Sequence, residues 1–268
     1  MIKINNFNLF RTDISSDITA HDLLKGFALI LMVIDHLGAF FYTTTEELRL
    51  IGRLSAPIWF FLIGYAMTKK LELRIWVWAF ILLGGFFYMR NGYGLLPLNI
   101  LFSFLLIRAT LDYMMERAVQ DFEKLFGIFC LFVLLAMPLH FVIEYGAFGF
   151  MFAAAGYLVR HKTELKNISF PQICLFMFLS VTAYTFMMWY DFKFDLINTV
   201  FLYVLLICMC FSLLSFEAKT FPAQTGIMKV VKYPLFLMGR RTLEFYVLHL
   251  LLFMYITVYG IDTNSLFP

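Results

Sequence analysis

Apolar runs separated by short polar breaks fill this chain. Most are close to the ~20 residues that a helix needs to cross a bilayer. The runs cover residues 22–42, 48–68, 73–89, 95–114, 124–142, 145–159, 170–190, 196–216 and 235–259. They predict an all-α, polytopic membrane bundle of about nine transmembrane helices. The sixth run is short, as a tilted or re-entrant segment would be, and Pro138 is placed to interrupt the fifth. Residues 1–21 form a polar tail, too poor in apolar residues for the core of a signal peptide. The first run is longer than such a core and lacks an A-x-A site, so it reads as an uncleaved first helix. Residues 22–268 then form one transmembrane domain, with no repeat or linker.

Composition agrees with that reading. Of the 268 residues 62% are hydrophobic and 15% charged, with a mean hydropathy of +0.82. A soluble domain carries far more charge. The 34 phenylalanines suit lipid-facing helices and interfacial belts. No basic cluster is interleaved with a stacking platform, which argues against nucleic acid. Cys130, Cys174, Cys208 and Cys210 lie in apolar runs without a C-x-x-C pair, and no Cys/His group has metal spacing. They read as packing residues.

Basic residues set an orientation. One set of alternate connections holds Lys69, Lys70 and Arg74; Arg117 and Lys124; Arg160, Lys162 and Lys166; and Lys219, Lys229, Lys232, Arg240 and Arg241. The other set holds only Arg49, Arg90 and Lys193. The bias predicts a cytoplasmic N-terminus and an external C-terminus.

Against this frame the polar positions inside the runs stand out. The stretch HDLLKGFALILMVIDH, from His21 to His36, puts Asp35 and His36 deep in apolar sequence. Insertion scales charge roughly 2.5–3.5 kcal/mol for an ionised group at a helix centre. Such groups face a protein interior or a water-filled cavity. Arg49 and Arg53, spaced i, i+4, share a helix face at the outer end of the second span. Asn99 and Ser103 do the same at the start of the fourth. Glu144 flanks the outer turn with His140. His249 lies mid-span in the last helix, with Thr242 and Tyr246 on its face. Asp35 and His36 point about 100° apart on a helix, so only one of them faces a given cavity centre. Asp35 also reads as an ion-pair partner for Arg53, and His249 as a core histidine bonded to a backbone carbonyl. Lys25 and His36 are eleven residues apart, close to three turns. They share a face, roughly 16 Å apart along the axis, with Leu29 and Met32 between them. A cation at the cytoplasmic mouth and an imidazole deeper in suit an acyl-CoA, its phosphates outside the membrane and its thioester carried inward. Arg108, Arg160, Arg240 and Arg241 are further candidates for those phosphates. No G-x-x-x-x-G-K-[ST] or G-x-S-x-G motif is present. The GYG at 92–94 lacks the context of a potassium filter.

DLLKGFALILMVIDH, LRLIGRLSAPIWFF and FYVLHLLLF, with weaker support from LPLNILFSF and EYGAFGFMF, resemble the TraX family of membrane acetyltransferases. That family is named for the protein that acetylates the N-terminus of conjugative F-type pilin. The Lys-Gly pair ten residues before a His also resembles the broader membrane acyltransferases. The resemblance implies acetyl-CoA as co-substrate, no metal, a pilin-like amine as acceptor, and a bacterial inner-membrane location. It points to His36, Asp35, Arg53 and His249 for chemistry. His36 would act as general base or acetyl carrier; Asp35 or a neighbouring polar side chain would orient the imidazole or offset its charge; Arg53 and His249 would stabilise the oxyanion. Lys25, Arg108, Arg240 and Arg241 would hold the donor, and Arg49, Asn99, Glu144 and Tyr246 the acceptor. Polysaccharide-modifying relatives carry paired arginines on a later helix. The nearest counterparts here are Arg49 with Arg53, or Gly239–Arg240–Arg241, so an O-acetylase of a surface glycan or lipid-linked sugar ranks second. A proton-coupled transporter or an assembly factor is the alternative from another class, although no inverted repeat supports transport.

The orientation is directly testable. In whole cells, an impermeant thiol reagent should label a cysteine placed at 193 and leave one at 163 unmodified. The reverse pattern would overturn the assigned topology.

Overall fold

The computed structural model describes residues 17–66, 70–89, 92, 95–221, 234–235 and 237–260. Residues 1–16 of the tail, residues 261–268, and Lys69, Arg90, Lys229 and Lys232 of the charge pattern lie outside the described residues, as do Tyr93 and Gly94 of the GYG. In chain order the elements are β1 (Ile18–Thr19), α1 (Ala20–Phe40), α2 (Glu46–Gly52), α3 (Ser55–Tyr65), α4 (Leu73–Met89), α5 (Ile100–Ala118), α6 (Phe122–His140), α7 (Gly146–His161), α8 (Phe170–Phe192), α9 (Leu196–Leu214), β2 (Thr220–Phe221) and α10 (Thr242–Tyr259).

Each of the nine apolar runs contains helix, so the all-α reading holds. Among the described residues, α1, the α2–α3 stretch, α6, α8, α9 and α10 are long and apolar enough to cross a membrane. Six helices meet that measure, against the nine spans read from the runs. The other three differ for physical reasons. α4 is apolar but has 17 residues. α5 carries Arg108 next to its midpoint and Asp112, Glu116 and Arg117 in its second half. α7 has 16 residues and buries thirteen of them. At 1.5 Å per residue α7 is about 24 Å long, short of a ~30 Å hydrocarbon core. It is enclosed by protein, which explains an apolar surface all round. Pro138 does not break its helix: α6 continues to His140, because a proline two residues from the end costs only one carbonyl partner.

α7 packs on α3 backbone to backbone. A Cβ added at Gly64 would collide with the Ala153 carbonyl, and one at Gly156 with the Phe61 carbonyl. A Cβ at Gly149 would reach to 2.6 Å from the Phe60 ring. Small residues on one face let membrane helices approach this closely.

The second apolar run is broken into α2 and α3, and the sequence explains where. Pro57 lies four residues after Arg53 and lacks the N–H that would bond the Arg53 carbonyl. That carbonyl instead accepts from the Tyr184 hydroxyl at 2.9 Å. The break lets Arg53 turn inward.

Capping fixes other boundaries. Thr19 and Asp22 form a capping box, with both backbone bonds at 3.1 Å. α1 therefore starts at Ala20, two residues before the first apolar run. β1 pairs antiparallel with β2, Ile18 against Phe221. Asp121 caps α6; the bond from the Lys124 backbone and the Lys124 ammonium hold its carboxyl below the ordinary range. Described members of the basic set gather at one end of the bundle. There the Ala20 amide bonds Lys219 O, Asn167 bonds Gln120 O and Lys162 bonds Leu214 O.

Gly156→Leu should force α3 and α7 apart and lower the melting temperature in detergent, since overpacking costs typically 1–3 kcal/mol or more. Gly84→Ala is the control: nothing lies within 4 Å of its added Cβ. It should be neutral or stabilising by about 0.5–1 kcal/mol.

Candidate active site

The polar residues of α1, α2 and the α2–α3 turn converge on Asp35. Its carboxylate is buried, at 3% exposure. Arg49 NH1 donates to Oδ2 and to the Asp35 carbonyl, both at 2.9 Å. Arg53 grips the carboxylate as a fork, Nε to Oδ1 at 3.0 Å and NH2 to Oδ2. Bidentate pairing is the strong form of this bond. Gly52 makes the approach possible, because a Cβ there would collide with Asp35. The Phe192 ring covers both guanidiniums, 4.9 Å from Arg49 and 4.7 Å from Arg53. Arg53 NH1 also donates to the Tyr145 hydroxyl at 3.3 Å. Two cations thus meet on one anion, and Glu144 adds a second carboxylate to the lining of the same cavity.

His36, the next residue on α1, turns the other way. Its Nδ1 lies 2.7 Å from His249 Nε2 of α10. His249 Nδ1 lies 2.7 Å from the Phe245 carbonyl one turn earlier. Tyr246 flanks both rings, with centroids 6.2 and 6.0 Å away.

Two cavities meet here. The smaller, of about 210 Å³, is lined by Asp35, His36, Arg49, Arg53, Glu144 and Tyr145 among others. The larger, of about 560 Å³, is lined by Lys25, Arg74, Arg108, Arg240 and Arg241, with Asp22 and Glu72 as its acidic members. Its size falls within the ~300–1,000 Å³ of ligand pockets. Met32, Trp59, Ile100 and Tyr246 line both. Ion pairs bind the elements around the larger cavity: Glu244 of α10 meets Arg74 of α4 and Arg241, and Arg240 meets Asp22 at 3.6 Å.

A family model described as TraX protein matches residues 20–257. The chain belongs to the TraX family. An uncharacterized protein of Rickettsia prowazekii (strain Madrid E) is 30% identical over 166 residues, 62% of this chain and 64% of that protein. Protein TraX of Escherichia coli is 29% identical over 103 residues, 36% of this chain and 41% of that protein. The chain thus matches less than two thirds of the length of either relative. No solved structure matches it.

Within this TraX family member, the four donor candidates Lys25, Arg108, Arg240 and Arg241 all line the larger cavity. His36, Asp35, Arg53, Arg49 and Glu144 line the smaller one, and Tyr246 lines both. Three expectations change. Asp35 does not orient the imidazole; both its oxygens are taken by arginines, and the partner of His36 is His249. Both nitrogens of His249, expected beside Arg53 at the oxyanion, already have partners in His36 and the Phe245 carbonyl. Asn99 lies outside both cavities because its amide is spent on structure: Oδ1 caps Leu101 N at 3.1 Å and Nδ2 donates to Ala79 O at 2.9 Å. Glu144 both lines the cavity and caps α5, Oε2 accepting from Ile100 N at 2.8 Å. Arg74, Trp59 and Tyr145 were not singled out from sequence. Arg74 read as one more inside charge, and the two aromatics were hidden among 34 phenylalanines and other rings.

Asp35→Asn removes the anion from two guanidiniums and should destabilise the protein by about 3–5 kcal/mol. Arg53→Gln added to it should restore part of the loss. Thermal unfolding of the two variants in one detergent measures the difference; equal losses would contradict the pairing.

Proposed function

We propose that this protein is a membrane acetyltransferase that takes the acetyl group of acetyl-CoA. The acceptor in this reading is a pilin-like N-terminal amine presented at the membrane. TraX family membership and six apolar segments of spanning length among the described residues support a membrane-embedded reaction. The carrying observation is the ladder along α1. Lys25 lines the basic cavity, Met32 lines both cavities, and His36 lines the smaller one. Donor phosphates would stay among Lys25, Arg108, Arg240 and Arg241, with Arg74 as a further member. The pantetheine arm would pass Met32 and Trp59 and carry the thioester toward His36. By the charge bias the basic cavity opens to the cytoplasm, where acetyl-CoA is made, and the membrane is the bacterial inner one.

In this mechanism His36 accepts the proton of the attacking amine. The guanidiniums of Arg49 and Arg53, which line this cavity, would favour the oxyanion of the tetrahedral intermediate. Glu144 supplies a carboxylate in the same cavity, which suits an amine acceptor better than a sugar hydroxyl. The glycan O-acetylase reading remains the runner-up.

The test is transfer from acetyl-CoA to a helical peptide with a free N-terminal amine, or to a mono- or oligosaccharide, in nanodiscs. The peptide should be acetylated and the sugar not. His36→Ala should lower kcat by at least about 10²-fold. Lys25→Gln should raise the donor KM with kcat nearly unchanged, the signature of lost uniform binding. That defect should vanish with acetyl-pantetheine, which has no nucleotide phosphates. Near-normal turnover by His36→Ala would overturn the mechanism.

A further inference from the structure

The pairing of His36 with His249 decides which nitrogen does the chemistry. A backbone carbonyl only accepts hydrogen bonds, so the 2.7 Å contact with Phe245 O puts the proton of His249 on Nδ1. A neutral His249 then presents a bare lone pair at Nε2. The 2.7 Å contact with His36 Nδ1 needs a donor, and His36 must supply it. The ring centroids lie 5.0 Å apart with planes 25° from parallel. Two rings this far apart whose nitrogens nearly touch meet edge to edge, as an in-plane N–H···N bond requires. Asp35, which would be the usual orienting carboxylate, is unavailable because Arg49 and Arg53 occupy both its oxygens. Among the described residues nothing bonds to His36 Nε2.

We infer that His249 is a positioning residue that holds His36 as its Nδ1–H tautomer, leaving the Nε2 lone pair as the proton-accepting atom. The consequence for catalysis builds on the acetyl-transfer reading; the tautomer itself does not. A neutral acceptor amine attacks the thioester carbonyl carbon, and its proton passes to His36 Nε2. The new C–N bond forms, the C–S bond breaks, and the leaving thiolate takes that proton as a thiol. Between those steps the imidazolium donates a charge-assisted bond from Nδ1 to His249 Nε2. His249 in turn leans on the Phe245 carbonyl dipole. The pair spreads one positive charge over two rings, and among the described residues no carboxylate bonds to either ring.

Two variants separate positioning from bulk. His249→Gln keeps an acceptor oxygen for the Nδ1–H of His36, whereas His249→Leu keeps none. His249→Leu should lower kcat by about 10²-fold, within the range of a positioned base, with donor KM unchanged. His249→Gln should recover most of that loss. Equal losses in both variants, or a loss expressed in donor KM, would overturn the inference. Nitrogen-15 spectra of imidazole-labelled wild-type protein in nanodiscs test it without turnover. The resonances lost in His36→Ala should report a neutral ring protonated at Nδ1; protonation at Nε2 would overturn the assignment. If wild-type protein transfers no acetyl group, the acetyltransferase reading fails, and the spectra still decide the tautomer.

Discussion

The structure turns on one carboxylate held by two guanidiniums inside an apolar bundle. Asp35 alone would be too costly to bury as an ion. The fork of Arg53, the single bond of Arg49 and the Phe192 ring offset that cost together. Each partner depends on a local backbone feature. Gly52 allows α2 to close on α1, and Pro57 ends the continuity of the second run so that Arg53 turns inward. The Arg53 carbonyl left bare by Pro57 is taken by Tyr184 of α8. One ion-pair cluster thereby ties α1, the α2–α3 turn and α8. Tyr145, just before α7, joins through its hydroxyl.

That commitment shapes the site. With Asp35 spent on arginines, His36 turns toward α10 and finds a second histidine. The two polar systems leave α1 from adjacent positions and diverge, as about 100° per residue dictates. Between them lies the smaller cavity, with cations on one wall and an imidazole on the other. Met32, Trp59, Ile100 and Tyr246 form a lining that it shares with the larger basic cavity. α7 supplies the floor on which α3, α5, α6 and α8 pack. Its short length matters little, because protein rather than lipid surrounds it.

Much of this was legible in the sequence. The apolar runs located the helices, and the helical spacing of Lys25 and His36 located the axis of the site. The i, i+4 spacing of Arg49 and Arg53 indicated a shared face, and both do reach Asp35. Contacts across helices were not legible. Nothing local in Asn99 distinguishes a cap from a ligand contact, and nothing in Asp35 says that a neighbouring arginine pair will claim both its oxygens. Arg74 carries the same local signature as any positive-inside anchor; only its meeting with Glu244, 170 residues away, puts it beside the cavity. The α2–α3 break was readable in principle from Pro57, but hydrophobicity alone joined the two helices. Hydropathy alone does not separate an enclosed helix such as α7 from one in lipid.

The proposed mechanism stands or falls on whether acetyl-CoA enters the basic cavity and presents its thioester to His36. It is tested most directly without any acceptor, with purified protein in nanodiscs and water as the only nucleophile. Saturable binding of acetyl-CoA and its slow conversion to acetate and free CoA are expected. Protein that neither binds acetyl-CoA nor consumes it above the buffer rate would overturn the proposed route from the basic cavity to His36.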